Sequence, residues 1–259
     1  MLVGQSPEMI KVKKLIREIA KTNDHVLIVG EAGSGKKHAA KEIQNRSKQK
    51  NHAMVVLHCG ALGDTLNESD LMGEKTESIR TVERKIGLLE QSKRGILYLE
   101  NIHEMAMEYQ QKFVNILKEG KYHKPGEKEP TRVDFRVIAS TTDDQLLKTN
   151  SFHKELYMLL STFKVTIPPL RKRKQDIPLL FSHLLSEFYS ESDVELPPVP
   201  AELFESLMEY EWIGNVHELK NTVKNLVLMS PEGVLNMEYL PFEIKKHPFE
   251  FLEGKDLPN

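Results

Sequence analysis

The stretch that decides the fold of this chain is Val26-Leu-Ile-Val-Gly-Glu-Ala-Gly-Ser-Gly-Lys36. The apolar run His25–Val29 predicts a short buried strand, and Lys36–Lys48 predicts a helix that begins where the glycine-rich turn ends. Backbone N–H groups in such a turn converge on phosphate oxygens, and the N-terminus of the following helix adds positive potential. The turn therefore predicts a phosphate-binding loop, made of Gly30, Glu31, Ala32, Gly33, Ser34, Gly35, Lys36 and Lys37.

Lys36 supplies the charge of this loop, because its ammonium can reach the outer phosphates of a nucleotide. The Ser or Thr that usually follows this lysine is absent, and Lys37 stands in its place. The strand–loop–helix context that the motif requires is nevertheless present. The alternative is a glycine-rich turn that binds nothing.

Apolar strand candidates alternate with helical patterns on both sides of the loop. Apolar residues recur at helical spacing over residues 8–21. The other strand candidates are Met54–Cys59, Gly95–Leu99, Asp134–Thr141 and Phe163–Ile167. Strands separated by helices predict a parallel sheet that is covered on both faces.

The pattern changes after Pro168 and Pro169. Only helical patterns follow, and they are Ile177–Tyr189, Ala201–Tyr210 and Asn215–Leu228. The sequence therefore predicts an α/β domain followed by a small helical domain. The segment Lys121–Thr131 is rich in Lys, Glu, Gly and Pro, which predicts an exposed hairpin or loop.

Composition excludes several classes of protein. The balance of 36 Lys+Arg against 38 Asp+Glu argues against a protein that coats nucleic acid through bulk charge. Apolar runs such as Val26–Val29 are too short to span a bilayer, and the first residues lack the apolar core of a signal peptide. The single cysteine, Cys59, excludes an internal disulfide and fits a reducing compartment. These features predict a globular cytoplasmic protein.

Ordered motifs cover almost the whole chain. They are VGQS at 3–6, GEAGSGKK at 30–37, NESDLMG at 67–73, KIGLLEQ at 85–91, GILYLENIHEM at 95–105, IPPLRKRKQDIPLL at 167–180 and YEWIGNVHELKN at 210–221. With these motifs the chain resembles the central AAA+ ATPase domain of bacterial enhancer-binding proteins, the activators of sigma-54 RNA polymerase. The resemblance implies an AAA+ P-loop fold with a five-stranded parallel sheet between helices over 1–169. A helical lid over 170–245 and a tail over 246–259 would follow.

The resemblance also implies ligands and assembly. ATP or ADP would bind to the loop, and Val3, Gly4 and His217 match further nucleotide-binding positions of the family. His217 stands where the family has a lid arginine, and a capping or surface role is the alternative for it. Domains of this kind usually assemble into rings, so self-association into a ring or dimer is expected.

Two departures from the family pattern fall at the end of one strand. The family has Asp-Glu there, and this chain has Glu100 and Asn101. Glu100 keeps a carboxylate that could hold Mg²⁺, although it carries one extra methylene. Asn101 cannot accept a proton, and a positioned base contributes about 10²–10⁴ in rate. The alternative is a polar strand end that faces solvent.

Two further departures concern the arginines that the family donates to a neighbouring subunit's nucleotide. His153 and Leu159 occupy the matching positions. An arginine that stabilises transition-state charge is worth about 10³–10⁵ in rate, and leucine cannot supply that charge.

The loop with which the family contacts sigma-54 is also altered. The matching stretch, residues 74–85, has neither the glycines nor the phenylalanine of the family's Gly-Ala-Phe-Thr-Gly-Ala sequence. We expect an exposed charged loop or helix that does not engage sigma-54, and a contact with another partner is the alternative.

Together these features predict a degenerate AAA+ domain of a transcriptional regulator. It would bind ATP or ADP, hydrolyse slowly or not at all, and contact transcription machinery or a regulatory protein. One alternative is a working ATPase that remodels RNA polymerase, and another is an interaction or ligand-sensing module that binds no nucleotide. Only about 18 residues follow Pro241, which is too short for a three-helix DNA-binding domain, so no DNA-reading element is expected in this chain.

Overall fold

The structure is a computed structural model, and it describes residues 2–77, 82–127, 129–189, 197–230 and 234–245. For residues 75–77 and 82–84 it describes the backbone alone. The strands are β1 (Val26–Val29), β2 (Met54–His58), β3 (Glu74–Glu77), β4 (Val82–Lys85), β5 (Ile96–Glu100), β6 (Lys121–Tyr122), β7 (Thr131–Arg132), β8 (Arg136–Thr141) and β9 (Phe163–Thr166). The helices are α1 (Pro7–Ile19), α2 (Lys36–Arg46), α3 (Glu68–Met72), α4 (Leu88–Gln91), α5 (Met107–Glu119), α6 (Lys154–Leu160), α7 (Ile177–Tyr189), α8 (Ala201–Glu209) and α9 (Asn215–Met229).

Five strands form one parallel sheet in the order β2-β5-β8-β1-β9. The predicted parallel sheet is therefore confirmed, and each predicted strand differs from the observed one by no more than two residues at either end. Because the strands are parallel, their carboxyl ends lie along the same edge. That edge is where α/β folds of this kind bind ligands.

Alternation along the strands divides their side chains between the two faces of the sheet. Leu27, Leu97 and Val137 join one buried apolar cluster, to which α5 adds Phe113 and α6 adds Leu156. Helix α2 buries Ala39, Ala40 and Ile43 outside that cluster.

Two hairpins accompany the sheet. The predicted hairpin at Lys121–Thr131 is present, because β6 and β7 pair in antiparallel fashion. Tyr122 and Lys124 are buried within it, so it is less exposed than expected. Within the stretch 74–85, the described residues 74–77 and 82–85 pair as antiparallel strands β3 and β4, rather than forming the predicted loop or helix.

The chain packs as two units. The first contains Lys11–Glu31 and Gly35–Ile167, and with them the five-stranded sheet. The second contains Val3–Ile10, Ala32–Ser34 and the described residues between Pro168 and Lys245. The predicted domain limits at 169 and 245 stay a prediction, and the predicted tail, 246–259, lies outside the described residues.

The second unit is helical and has its own core. Trp212 is fully buried there, and its Nε1 donates to Leu207 O over 2.7 Å. Phe181 and Phe204 meet edge to face with ring centroids 5.5 Å apart. Val3, from the start of the chain, packs against this core.

In the described residues, no helix combines the length and the apolar character that a bilayer crossing requires.

Candidate functional site

The loop after β1 leaves the sheet at its carboxyl edge. Gly30 N donates to Thr141 O, at the end of β8, over 3.1 Å. Gly33 and Gly35 have φ values of 71° and 104°, in the left-handed region that other residues adopt at a cost. Gly35 is the N-cap of α2, so the helix begins directly at the loop. The predicted strand–loop–helix arrangement is therefore confirmed.

Lys36 is buried and bonded to its own loop. Its Nζ donates to Gly30 O over 2.7 Å and to Glu31 O over 3.0 Å. Burial lowers the pKa of Lys36, and the charge of Glu100 opposes that shift. An anion that replaced the two carbonyl oxygens would contact the Lys36 ammonium, which burial has already desolvated. Lys37, by contrast, is exposed.

The three residues at the crest of the loop, Ala32–Ser34, belong to the second unit, where three groups bind their carbonyl oxygens. Asn215 Nδ2 donates to Ala32 O over 3.0 Å, and Val216 N donates to Gly33 O over 3.1 Å. Arg173 Nη2 donates to Ser34 O over 2.8 Å. These bonds involve carbonyl oxygens, and not the N–H groups that a phosphate would use.

Arg173 and Asn215 were not singled out by sequence reasoning as residues that hold the loop. Arg173 is 2% exposed and Asn215 is fully buried. Asn215 Oδ1 also accepts a hydrogen bond from Leu170 N at 2.7 Å. The Gly-Asn pair before α9 and the basic run around Arg173 mark both positions in the sequence, but their partners are far away along the chain.

The segment at Val3–Ser6 is held by the buried carboxylate of Asp176. Its Oδ1 accepts from Gln5 N at 2.5 Å and Ser6 N at 2.7 Å, and its Oδ2 accepts from Ser6 Oγ at 2.8 Å. A side chain at Gly4 would place Cβ 2.8 Å from Asp176 Oδ2, and the φ of Gly4 is 141°. The backbone of this predicted nucleotide-binding segment is thus fixed by one residue of the second unit.

Glu100 is the last residue of β5, and its buried Oε2 atom has no hydrogen-bond partner among the described residues. His58 Nδ1 lies 3.0 Å from Glu100 Oε2, within ion-pair distance but without hydrogen-bond geometry. Among the described side chains, no group of three or more His, Cys, Asp and Glu residues is arranged to hold a metal ion. A cation at Glu100 would therefore need water or phosphate oxygens as additional ligands.

Asn101 and His103 follow Glu100 in a short turn. Asn101 has φ 55° and ψ 56°, a left-handed conformation that asparagine tolerates better than most residues. Its Nδ2 donates to Glu104 Oε1 over 3.0 Å. His103 Nδ1 lies 3.1 Å from Thr141 Oγ1. No local motif marks His103 in the sequence, because only folding brings it to the end of β8.

His153 and Leu159 lie at opposite ends of α6. His153 is the N-cap residue of α6, its backbone N donates to Gln110 Oε1 over 2.7 Å, and its Nδ1 is buried without a hydrogen-bond partner. Leu159 lines a shallow concavity of about 440 Å³, together with the exposed Met158. Neither residue presents the forked cation that an arginine would.

His217 is exposed on the first turn of α9. Within the second unit, a Cβ on Gly33 would lie 3.0 Å from His217 Cβ, so the two residues are neighbours. The structure thus places His217 beside the crest of the loop, whereas its predicted contact with a nucleotide stays a prediction.

Two family models match the chain. Residues 2–166 match the model described as the Sigma-54 interaction domain, and residues 171–251 match an AAA+ ATPase lid domain. The nitrogen fixation protein VnfA of Azotobacter vinelandii is 33% identical over 243 residues, which are 93% of this chain and 47% of that protein. The formate hydrogenlyase transcriptional activator FhlA of Escherichia coli is 33% identical over 239 residues, which are 91% of this chain and 34% of that protein. The chain thus spans about a third to a half of the length of these curated relatives.

Solved structures also match the fold of this chain. NtrX from Brucella abortus in complex with ADP has a TM-score of 0.83 at 28% identity, covering 95% of this chain and 56% of that one. NtrX in complex with ATP matches with the same score and identity, over 94% and 57% of the two chains. Hsp104 has a TM-score of 0.63 at 14% identity over 86% of this chain and 48% of that one, which supports the AAA+ fold alone.

Proposed function

The chain belongs to the family of sigma-54 interaction domains, and from this premise we propose that it binds ATP or ADP and hydrolyses ATP slowly or not at all. It would act by conformation or assembly, as part of a transcriptional regulator in the cytoplasm. Transcription machinery or a regulatory protein would be its partner, and self-association into a ring or dimer would be its working state.

Nucleotide binding rests on one observation above all. Lys36 is a buried lysine at the first position of a helix that opens on a glycine-rich loop, and its ammonium is bonded only to loop carbonyls in the described structure. A phosphate group would replace neutral acceptors with charged ones, which form stronger hydrogen bonds. The NtrX structures with ADP and ATP support the same assignment.

Mg²⁺ would be held chiefly by Glu100. The buried Oε2 atom has no hydrogen-bond donor among the described residues, so it fits a cation or its water. Lys37 offers no hydroxyl ligand, and Mg²⁺ commonly relies on one or two carboxylates with water and phosphate oxygens. When bound, the ion would neutralise phosphate charge. The residues present therefore fit a magnesium ion with a reduced set of protein ligands.

Slow hydrolysis rests on Asn101 and Leu159. The Asn101 amide donates to Glu104 and has no basic site with which to accept a proton from water. Leu159 carries no charge for a neighbour's phosphate. Both effects raise the barrier to hydrolysis, but they belong to one catalytic unit, so their rate losses are not multiplied.

The first test is calorimetric titration with ATP and Mg²⁺, followed by a phosphate-release assay on the same sample. Lys36→Ala should weaken ATP binding more than tenfold, or about 1.4 kcal/mol, because it removes the buried ammonium that we expect to contact the phosphates. Lys48→Ala is the matched control, because Lys48 is exposed beyond the end of α2.

The outcomes separate the alternatives. Equal affinities for ATP in the wild type and in Lys36→Ala would contradict the proposed site. A turnover above about 1 s⁻¹, ordinary for an enzyme, would favour a working ATPase. Failure to bind any nucleotide would favour an interaction or ligand-sensing module.

A further inference from the structure

His103 has a defined tautomer because of its neighbour at the end of β8. The hydroxyl of Thr141 donates its single proton to Asp143 O over 2.9 Å. Toward His103 Nδ1, 3.1 Å away, Thr141 Oγ1 can then only accept. The arrangement that satisfies both contacts places the imidazole proton on Nδ1 and leaves Nε2 as an unprotonated acceptor.

The surroundings of His103 leave its Nε2 atom unprotonated. The nearest carboxylate oxygen, Glu104 Oε1, is 3.6 Å from Nε2, beyond hydrogen-bond distance, and it accepts from Asn101 Nδ2 instead. The side chain of His103 is 17% exposed, so the ring is mostly enclosed. An unprotonated Nε2 suits the O–H of a water molecule, whereas a phosphate oxygen has no proton to offer it.

The charges around His103 favour the neutral ring. Burial lowers its pKa most, the Glu104 carboxylate raises it, and the Lys36 ammonium lowers it. Cys59, on the short helix packed against residues 102–104, is a neutral thiol because burial raises its pKa far above the physiological range. Thr141 meets Asp143 at its backbone carbonyl, and the Asp143 carboxylate accepts a hydrogen bond from Gln145 N at 2.9 Å. The group is therefore an uncharged base. Its neighbour Thr141 also meets the phosphate loop, because Gly30 N donates to Thr141 O over 3.1 Å.

We propose that His103 Nε2 is the proton acceptor for the slow ATP hydrolysis of this chain, in place of the carboxylate that is absent at Asn101. The inference rests on the proposed nucleotide binding at Lys36. In the step, a water molecule gives one proton to Nε2 while its oxygen forms a bond to the γ-phosphorus. The bond from that phosphorus to the β–γ bridging oxygen breaks, and ADP leaves with the electron pair. The proton on Nε2 then passes to bulk water.

The test is phosphate release at saturating ATP between pH 5.5 and 9, for the wild type and for His103→Gln. We expect His103→Gln to reduce kcat at least tenfold, consistent with the 10²–10⁴ that a positioned base contributes. The wild-type kcat should fall as the pH is lowered through the pKa of His103, which burial holds below the ordinary histidine value, and the variant should lose this dependence. The dissociation constant for ATP should change less than threefold.

Two further variants keep the inference falsifiable. His52→Gln, at an exposed histidine that forms hydrogen bonds through its backbone N and O, should retain the wild-type rate and pH profile. Thr141→Val keeps the side-chain shape but removes the hydroxyl that orients the ring, so kcat should fall while ATP binding persists. Circular dichroism and thermal melting check that each variant is folded.

The results that overturn the inference are distinct from those that overturn the proposed function. An unchanged kcat in folded His103→Gln, or a wild type that binds ATP without measurable hydrolysis, would refute His103 as the base and leave nucleotide binding standing. A wild type that binds no nucleotide would refute both.

Discussion

At the scale of single residues, His25 is a histidine that the fold holds in its neutral form. Its Nδ1 accepts a hydrogen bond from Val137 N at 3.2 Å, a contact that a protonated ring would lose. Burial lowers the pKa of His25 most, the charge of Arg136 lowers it further, and Asp24 opposes the shift. His103 has a lowered pKa as well. The folded chain therefore binds protons less readily at these two positions than the unfolded chain does.

This asymmetry predicts a loss of stability in mild acid. A folded-state pKa below the unfolded value near 6.5 means that the stabilisation is complete above pH 6.5 and decreases as the pH falls toward the folded pKa. We expect the urea midpoint to decrease between pH 7.5 and 5.5, before the carboxylates titrate. His25→Gln should flatten that decrease, whereas His52→Gln should leave it unchanged. A midpoint that is constant over this range in the wild type would contradict the prediction.

At the scale of elements, the β3–β4 hairpin falls in the stretch that we expect to match the family's sigma-54-contacting loop. Glu74 pairs with Lys85 and Glu77 with Val82, so the two strands meet in a regular antiparallel register. The four residues between them, 78–81, lie outside the described part of the chain. Their sequence, Ser-Ile-Arg-Thr, has neither a glycine nor a phenylalanine.

We predict from this hairpin that the chain cannot open sigma-54 polymerase complexes. An aromatic tip is what would contact the sigma factor, and the sequence of residues 74–85 contains no aromatic residue. The measurement is promoter opening by a sigma-54 activator whose own AAA+ domain is replaced by residues 1–245. The control is the same activator with its native domain transplanted through the same junctions. Robust opening by the chimera would show that the hairpin retains the contact.

At the scale of the whole molecule, the question is how copies of the chain respond to nucleotide. An arginine that reaches a neighbour's γ-phosphate makes an interface tighter with ATP than with ADP, since one state has a contact that the other lacks. His153 is an N-cap residue and Leu159 is an uncharged residue that lines a shallow concavity, so neither supplies that differential contact. A ligand without a differential contact shifts no equilibrium.

We therefore expect self-association to be nearly equal with ATP, with ADP and without nucleotide. Analytical ultracentrifugation in the three conditions is the measurement. The double variant His153→Arg with Leu159→Arg should recover part of an ATP dependence, whereas Lys48→Ala should not. An ATP-specific ring in the wild type would mean that another cation, such as Lys154 or Lys172, carries the sensing role.

The sequence by itself determined the class of fold and the position of the phosphate loop. Both follow from local patterns: an apolar run too short for a helix, glycines where left-handed backbone is needed, and a helix that begins at Lys36. Asn101 and Leu159 could be identified as departures for the same reason, since a residue type at a known place in a motif is visible without coordinates. The limits of the strands were less certain, because strand ends depend on the neighbouring strands with which they pair.

Only the tertiary structure decided which distant groups hold the site. Arg173 binds Ser34 O across 139 residues of chain, and Asp176 binds Ser6 across 170. His103 Nδ1 lies 3.1 Å from the hydroxyl oxygen of Thr141, 38 residues away at the end of β8. The spacing of apolar and polar residues predicts which face of a segment is buried. Hydrogen bonds between distant segments depend instead on the order in which strands and helices pack. The stretch 74–85 shows the same limit, because its charges suit a loop, a helix or a strand equally until a second strand pairs with it.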